Sequence, residues 1–212
     1  MKEDFTVLAL IVDRSGSMTS IQEDTIGGIN SFIKQHKSDV GENEEVKVTI
    51  AQFDHEYQVP FDFVDIKDVP TFTSADFSPR GSTALLDAIG KTIIDMGQKF
   101  SDMSEDERPS KVIVAVITDG YENSSFEFRD PKVIAEIVKK QEEDYNWDIL
   151  FLGAGLDAVD IAQSYGFTSG KSMSYSTKDM NMAFDTMAAS TLRSKAGDSA
   201  DFTSEERTLN SQ

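Results

Sequence analysis

The amino-acid sequence predicts an α/β fold: a doubly wound, mostly parallel sheet with one antiparallel edge strand and helices on both faces. Three observations carry this. The runs Val7 to Val12, Val112 to Ile117 and Ile149 to Leu152 are unbroken apolar stretches, the pattern of strands covered on both sides. Segments with helical spacing of apolar residues lie between them, as parallel strands require. Each run stops abruptly in small or polar residues: Asp13-Arg14-Ser15-Gly16-Ser17, Thr118-Asp119-Gly120 and Gly153-Ala154-Gly155. Ligands of such sheets bind at those strand ends, where the strand order reverses.

The elements follow in order. After the first strand, Ile21, Ile26, Ile29, Phe32 and Ile33 predict a helix over about residues 19–37. Val46, Val48 and Ile50 alternate with polar residues, the mark of a half-buried strand, and Tyr57, Val59, Phe61 and Phe63 alternate after a turn at Asp54-His55-Glu56. The pair reads as a hairpin, and Pro60 places its second strand at a sheet edge. Residues 67–82 form a long loop of the kind that usually carries function. Leu85 or Leu86, with Ile89, Ile93, Met96 and Phe100, then marks one stripe of a helix. The second buried run is followed by a helix from Pro131 to about Asp144, with proline in its favoured first turn. After the third run come a short helix from Leu156 to Tyr165, with Val159 and Ala162 inward, a weak strand near 171–174, and a last helix over about 177–195. The Met180, Phe184, Met187 and Leu192 stripe of that helix reads as core packing. The expected domain spans residues 1–195, and 196–212 reads as a polar, acidic, loosely held tail, with Thr203 to Glu206 able to cap one helical turn.

Composition narrows the function. The 212 residues carry a formal net charge of −18 and no cysteine. Thiolate metal sites and disulfides are excluded, and such a field repels phosphate backbones, so nucleic acid is not an expected partner. No apolar run approaches the roughly 20 residues of a membrane helix. The N-terminus shows no signal-peptide pattern, and a cytoplasmic location is expected.

Three loops fall on one edge of the predicted sheet. The first offers Asp13, Ser15 and Ser17; the long loop offers Thr83 in Gly81-Ser82-Thr83; the third offers Asp119. Two carboxylates and three hydroxyls make an all-oxygen donor set for a hard divalent cation, Mg²⁺ first and Mn²⁺ or Ca²⁺ after it. Zinc fits poorly without cysteine or suitably spaced histidine. Each piece alone has a plainer use: the serines and Thr83 as turn or cap residues, Asp119-Gly120 as a turn. Their joint occurrence at strand ends is what points to a metal. Arg14, Arg80, Tyr121 and Glu122 adjoin the expected ion, and His36 and His55 read as solvated. Gly153-Ala154-Gly155-Leu156-Asp157-Ala158 fits a loose dinucleotide pattern but reads better as a backbone turn on the same rim.

The D-x-S-x-S pattern of Asp13, Ser15 and Ser17, the loop threonine Thr83 and the Asp119 of Ile117-Thr118-Asp119-Gly120 together resemble the von Willebrand factor type A domain with its metal-ion-dependent adhesion site. The resemblance covers about residues 5–195. It implies a Rossmann-like sheet, a Mg²⁺ held by those five residues, and a non-enzymatic role in which a partner protein's Asp or Glu completes the coordination. Lacking secretion and disulfide signals, the chain is most similar to intracellular bacterial or phage-type members, including those associated with tellurite resistance and those assisting AAA+ ATPases. An AAA+ ATPase or assembly partner is thereby implied. Two rival readings stand: a Mg²⁺-dependent phosphatase or phosphotransferase with Asp13 as nucleophile, and a structural protein whose metal stiffens its loops.

Overall fold

A computed structural model describes residues 1–155 and 157–210. Six strands, β1 (Lys2–Asp13), β2 (Glu45–Phe53), β3 (Tyr57–Asp65), β4 (Pro109–Thr118), β5 (Asp148–Ala154) and β6 (Ser172–Tyr175), form one sheet in the order β3-β2-β1-β4-β5-β6. Every neighbouring pair is parallel except the β2–β3 hairpin, which puts antiparallel β3 at one edge. The winding reverses between β1 and β4, whose register pairs Val12 with Ile117. Asp13 and Asp119 therefore leave neighbouring strands side by side.

Alternation along β1 feeds two separate cores. Leu8, Leu10 and Val12 pack beneath α1 (Gln22–Asp39) and α5 (Met180–Lys195), while Val7, Ala9 and Ile11 pack against α2 (Leu85–Ser101), α3 (Pro131–Tyr145) and the short α4 (Ala158–Ser164). A strand with helices on both sides has no solvated face, which is why its sequence is apolar throughout. The same reason corrects the reading of β2 as half-buried. Residues 48–53 are all buried, Thr49 and Gln52 included, because β2 is also interior to the sheet.

The helices begin and end close to where their spacing predicts. A 3-10 turn over Gly16–Ile21 precedes α1. The Asp130 side chain caps α3 by accepting from Lys132 N at 3.0 Å, Pro131 follows it, and left-handed Asn146 closes the helix. Leu156, the expected start of the short helix, lies outside the described residues; Ala162 is buried and Val159 half-buried.

Two further expectations fail. His36 is not solvated: it is 1% exposed, with Nδ1 2.9 Å from Phe32 O and Nε2 3.0 Å from Thr191 Oγ1 across the α1–α5 contact. Residues 196–210 are not loosely held. Ala200 and Phe202 are buried, and Phe202 N donates to Gly170 O. α6 (Ser204–Asn210) starts with a reciprocal cap, in which Thr203 N donates to Glu206 Oε2 and Glu206 N to Thr203 Oγ1. Arg207 then donates to the carbonyls of Ser169, Gly170 and Ser172. The segment covers the β6 side of the sheet.

Candidate functional site

Asp13 is the last residue of β1 and is fully buried. Its Oδ1 accepts from Ser15 N at 2.6 Å, and its Oδ2 accepts from the Thr118 hydroxyl, also at 2.6 Å. Ser15 Oγ lies 3.0 Å from Ser17 Oγ, and Ser17 Oγ donates to Asp119 Oδ1 at 2.6 Å. Thr83 reaches the same spot from the long loop. A methyl group built on Gly120 would stand 3.2 Å from Thr83 Oγ1 and 3.7 Å from both Asp13 Oδ2 and Ser17 Oγ. All five residues singled out in the sequence are thus brought to one place, around a glycine whose missing side chain leaves the room.

The electrostatics of this cluster are unusual. Burial pushes the Asp13 carboxyl up to about 6, against the opposing hydrogen bonds from Thr118 and Ser15, and the nearby Asp119 adds to the rise. Burial raises Asp119 as well, opposed by the Ser17 hydroxyl. Neither acid owes any part of its shift to a basic side chain. Holding Asp13 ionised at neutral pH therefore costs roughly 3 kcal/mol. The donors are hard, all oxygen, and carry two negative charges between them, which fits a divalent cation of the Mg²⁺ kind. The described residues contain no cluster of three or more His, Cys, Asp or Glu placed to hold a metal, so a cation at this spot would depend on the hydroxyls.

The scaffold behind the site involves residues that the sequence did not disclose. Asp54, at the β2–β3 turn, is fully buried. Its Oδ2 lies 3.1 Å from Arg14 Nε and accepts from Arg80 Nε at 3.0 Å, while its Oδ1 accepts from Glu56 N at 2.6 Å. Backbone bonds complete the link: Arg80 N to Arg14 O at 2.8 Å, Gly16 N to Gly81 O at 3.1 Å, and Ala84 N to Asp54 O at 2.8 Å. At Gly81, φ is +67° and a Cβ would meet His55 Nδ1 at 2.2 Å, so only glycine lets the second loop pass there. Arg14 and Arg80 thus face Asp54 and join the first loop to the second.

Asn123 performs the corresponding task for the third loop. Its Oδ1 accepts from Thr83 N at 2.9 Å, and Thr83 O accepts from Asn123 N and Ser124 N. Glu122 is committed to the backbone, accepting from Leu86 N, Ser124 N and Ser125 N. Tyr121 donates to Asp157 Oδ2 at 2.8 Å. An Asp-x-Glu turn gave a faint signal for Asp54. Asn123 had none, because a side chain that braces a backbone leaves no pattern in spacing.

No helix among the described residues is long and apolar enough to cross a membrane. No curated protein gives a significant match to the chain. Solved structures do, at identities that speak for the fold alone. The vWF domain of the type V pili tip protein Mfa5 from Porphyromonas gingivalis shares 11% identity over 89% of this chain and 95% of its own, with a TM-score of 0.60. Proximal thread matrix protein 1 from the mussel byssus, in a structure with a zinc-occupied MIDAS motif, shares 15% over 86% of this chain, with a TM-score of 0.56. A von Willebrand factor type A protein from Catenulispora acidiphila shares 14% over 88%, with a TM-score of 0.58. The chain spans 44% of the mussel protein and 42% of the Catenulispora one. The family model for the von Willebrand factor type A domain matches residues 8–189. With that match running through the sheet and all three loops, the chain belongs to the von Willebrand factor type A domain family.

Proposed function

We propose that this domain is a divalent-metal-dependent protein-binding module. Asp13, Ser15, Ser17, Thr83 and Asp119 hold the ion, Mg²⁺ first and Mn²⁺ or Ca²⁺ as substitutes, and a partner's Asp or Glu completes its coordination. The observation that carries this reading is the pair of acids, buried or half-buried, linked through Ser17 and met by Thr83, with neutral donors alone around them. A bound cation would supply the missing positive charge and a Lewis-acidic position for an incoming carboxylate. The zinc-occupied MIDAS of the mussel protein supports a divalent site at this place in the fold, and zinc belongs in the test beside magnesium. The phosphotransfer reading is disfavoured by a nucleophile that is fully buried and by Arg14 facing Asp54 rather than an incoming phosphate.

Titration calorimetry with MgCl₂, MnCl₂, CaCl₂ and ZnCl₂ tests the proposal. The wild type is expected to bind at least one ion at a single site, and Asp119→Ala to weaken it at least tenfold with its circular dichroism unchanged. Equal affinity in the two proteins would remove these residues from the role.

A further inference from the structure

We infer that Tyr121 and Phe126 form the apolar half of the partner-binding surface, so that the partner presents an acidic residue beside a large apolar one. This rests on the metal-dependent reading above and adds to it what the partner's neighbouring residue must be. Phe126 is 75% exposed and Tyr121 62%, the two most exposed aromatic rings among the described residues. Both lie in the segment between β4 and α3, directly after Asp119 and Gly120. Elsewhere the exposed large apolar side chains belong to other segments, such as Ile94, Tyr145 and Leu209.

Exposure alone would say little, but this segment is held rigidly in place. The Asp87 carboxylate, in the first turn of α2, accepts from Phe126 N, Glu127 N and Phe128 N at 2.8–3.0 Å. Asp87 N in turn donates to Ser125 Oγ at 3.0 Å. Glu122 and Asn123 pin the preceding residues to Leu86 and Thr83. Phe128 turns inward, its ring in the space over Gly90, whereas Phe126 two residues earlier is held outward. A loop fixed by that many bonds cannot fold its apolar ring away from water, and it has already lost the entropy that binding would cost. The Tyr121 hydroxyl, bonded to Asp157, orients the second ring.

Charge selects the kind of segment that fits. The Arg129 guanidinium stacks 4.5 Å from the Phe126 ring centroid and bonds through Nε to the Phe126 carbonyl. In a chain of net charge −18, the Phe126 ring thus carries a cation of its own on the loop that starts at Asp119, and the neighbouring acid Glu127 is paired with Lys91 at 2.9 Å. An acidic–apolar segment matches both features; a basic segment matches neither. Aromatic rings with an arginine are also the side chains that most often dominate interface energetics.

A displayed library of random 12-residue peptides, selected on the wild-type protein in MgCl₂, is the test. Enriched peptides are expected to share an Asp or Glu with a large apolar residue within a few positions. A selected peptide should bind Tyr121→Ala and Phe126→Ala each at least tenfold more weakly, and Phe126→Leu nearly as well as wild type. Mg²⁺ affinity and Tm should stay unchanged in all three variants. Acidic peptides without an apolar neighbour, unchanged binding by the two alanine variants, or no enriched peptide would each overturn the inference while leaving the metal site standing. Peptides that bind equally in EDTA and to Asp119→Ala would instead bring down the metal-dependent reading, and the joint surface with it.

Discussion

A methyl group is the smallest intrusion the site can be given, and Gly120 is the place to put it. In Gly120→Ala the added carbon would crowd Thr83 Oγ1 at 3.2 Å without disturbing the strands. Metal affinity measured by calorimetry is expected to fall at least tenfold while the unfolding midpoint moves by less than about 1 kcal/mol equivalent. Asp54 gives the opposite pattern. Asp54→Ala leaves the buried Arg14 charge without its acidic partner and frees the bond to Glu56 N. Breaking a buried pair from one side costs about 3–5 kcal/mol, so urea unfolding should show a loss of that order. These two residues also mark how far the sequence could be read at this scale. Asp13, Ser15, Ser17, Thr83 and Asp119 stand out because oxygen ligands at strand ends follow a pattern. Asp54 and Asn123 act through backbone groups or through arginines that only the folded chain brings near, so their types and positions carry no comparable signal.

Between α1 and α5 the buried His36 ties the two helices that cover one face of the sheet. Burial pushes its imidazole down to about 4, and Lys195 contributes to the lowering. A depressed value means the unfolded chain takes up a proton before the folded one does. The contribution of His36 is therefore complete above its ordinary value near 6.5 and is lost as pH falls from there toward 4. Over the full window this amounts to about 3 kcal/mol. Asp13, raised to about 6, acts in the contrary sense over an overlapping range, so the comparison must be made against a variant. In urea unfolding between pH 7 and pH 5, His36→Asn is expected to lose less stability than the wild type; parallel curves would refute the assignment. The lysine-rich surroundings of His36 suggested solvent. They misled because helical periodicity places His36 on the stripe of Ile29, Phe32 and Ile33, and the packing of α5 against that stripe depends on a contact about 150 residues away. The edge position of β3, by contrast, was legible from Pro60 alone, since a proline cannot donate to an interior ladder.

For the whole molecule, the parallel centre of the sheet was readable because β1, β4 and β5 are apolar on both faces, whereas the interior place of β2 was hidden by its polar Thr49 and Gln52. The C-terminal segment was not readable, because its anchors are an arginine bonding to carbonyls and two apolar residues in a polar stretch. Phe202→Ala is expected to cost about 3 kcal/mol, and ending the chain after Gly197 to cost more, both seen as a lowered Tm. Conversely, an ion that binds the folded domain at a hundred times its Kd adds about 2.7 kcal/mol. For a domain of this length that corresponds to a Tm rise of roughly 5–10 °C, reversed by EDTA. The docking of α6 has a practical corollary. Asn210 O accepts from Ser176 N, just past the end of β6, so Asn210 lies on the same rim of the sheet as the three loops. Lys2 pairs with Pro109 and bonds Arg108 at the opposite rim. A fluorophore attached at Lys2 hangs clear of any visitor to Asp119, whereas one attached on α6 near Asn210 shares its doorstep.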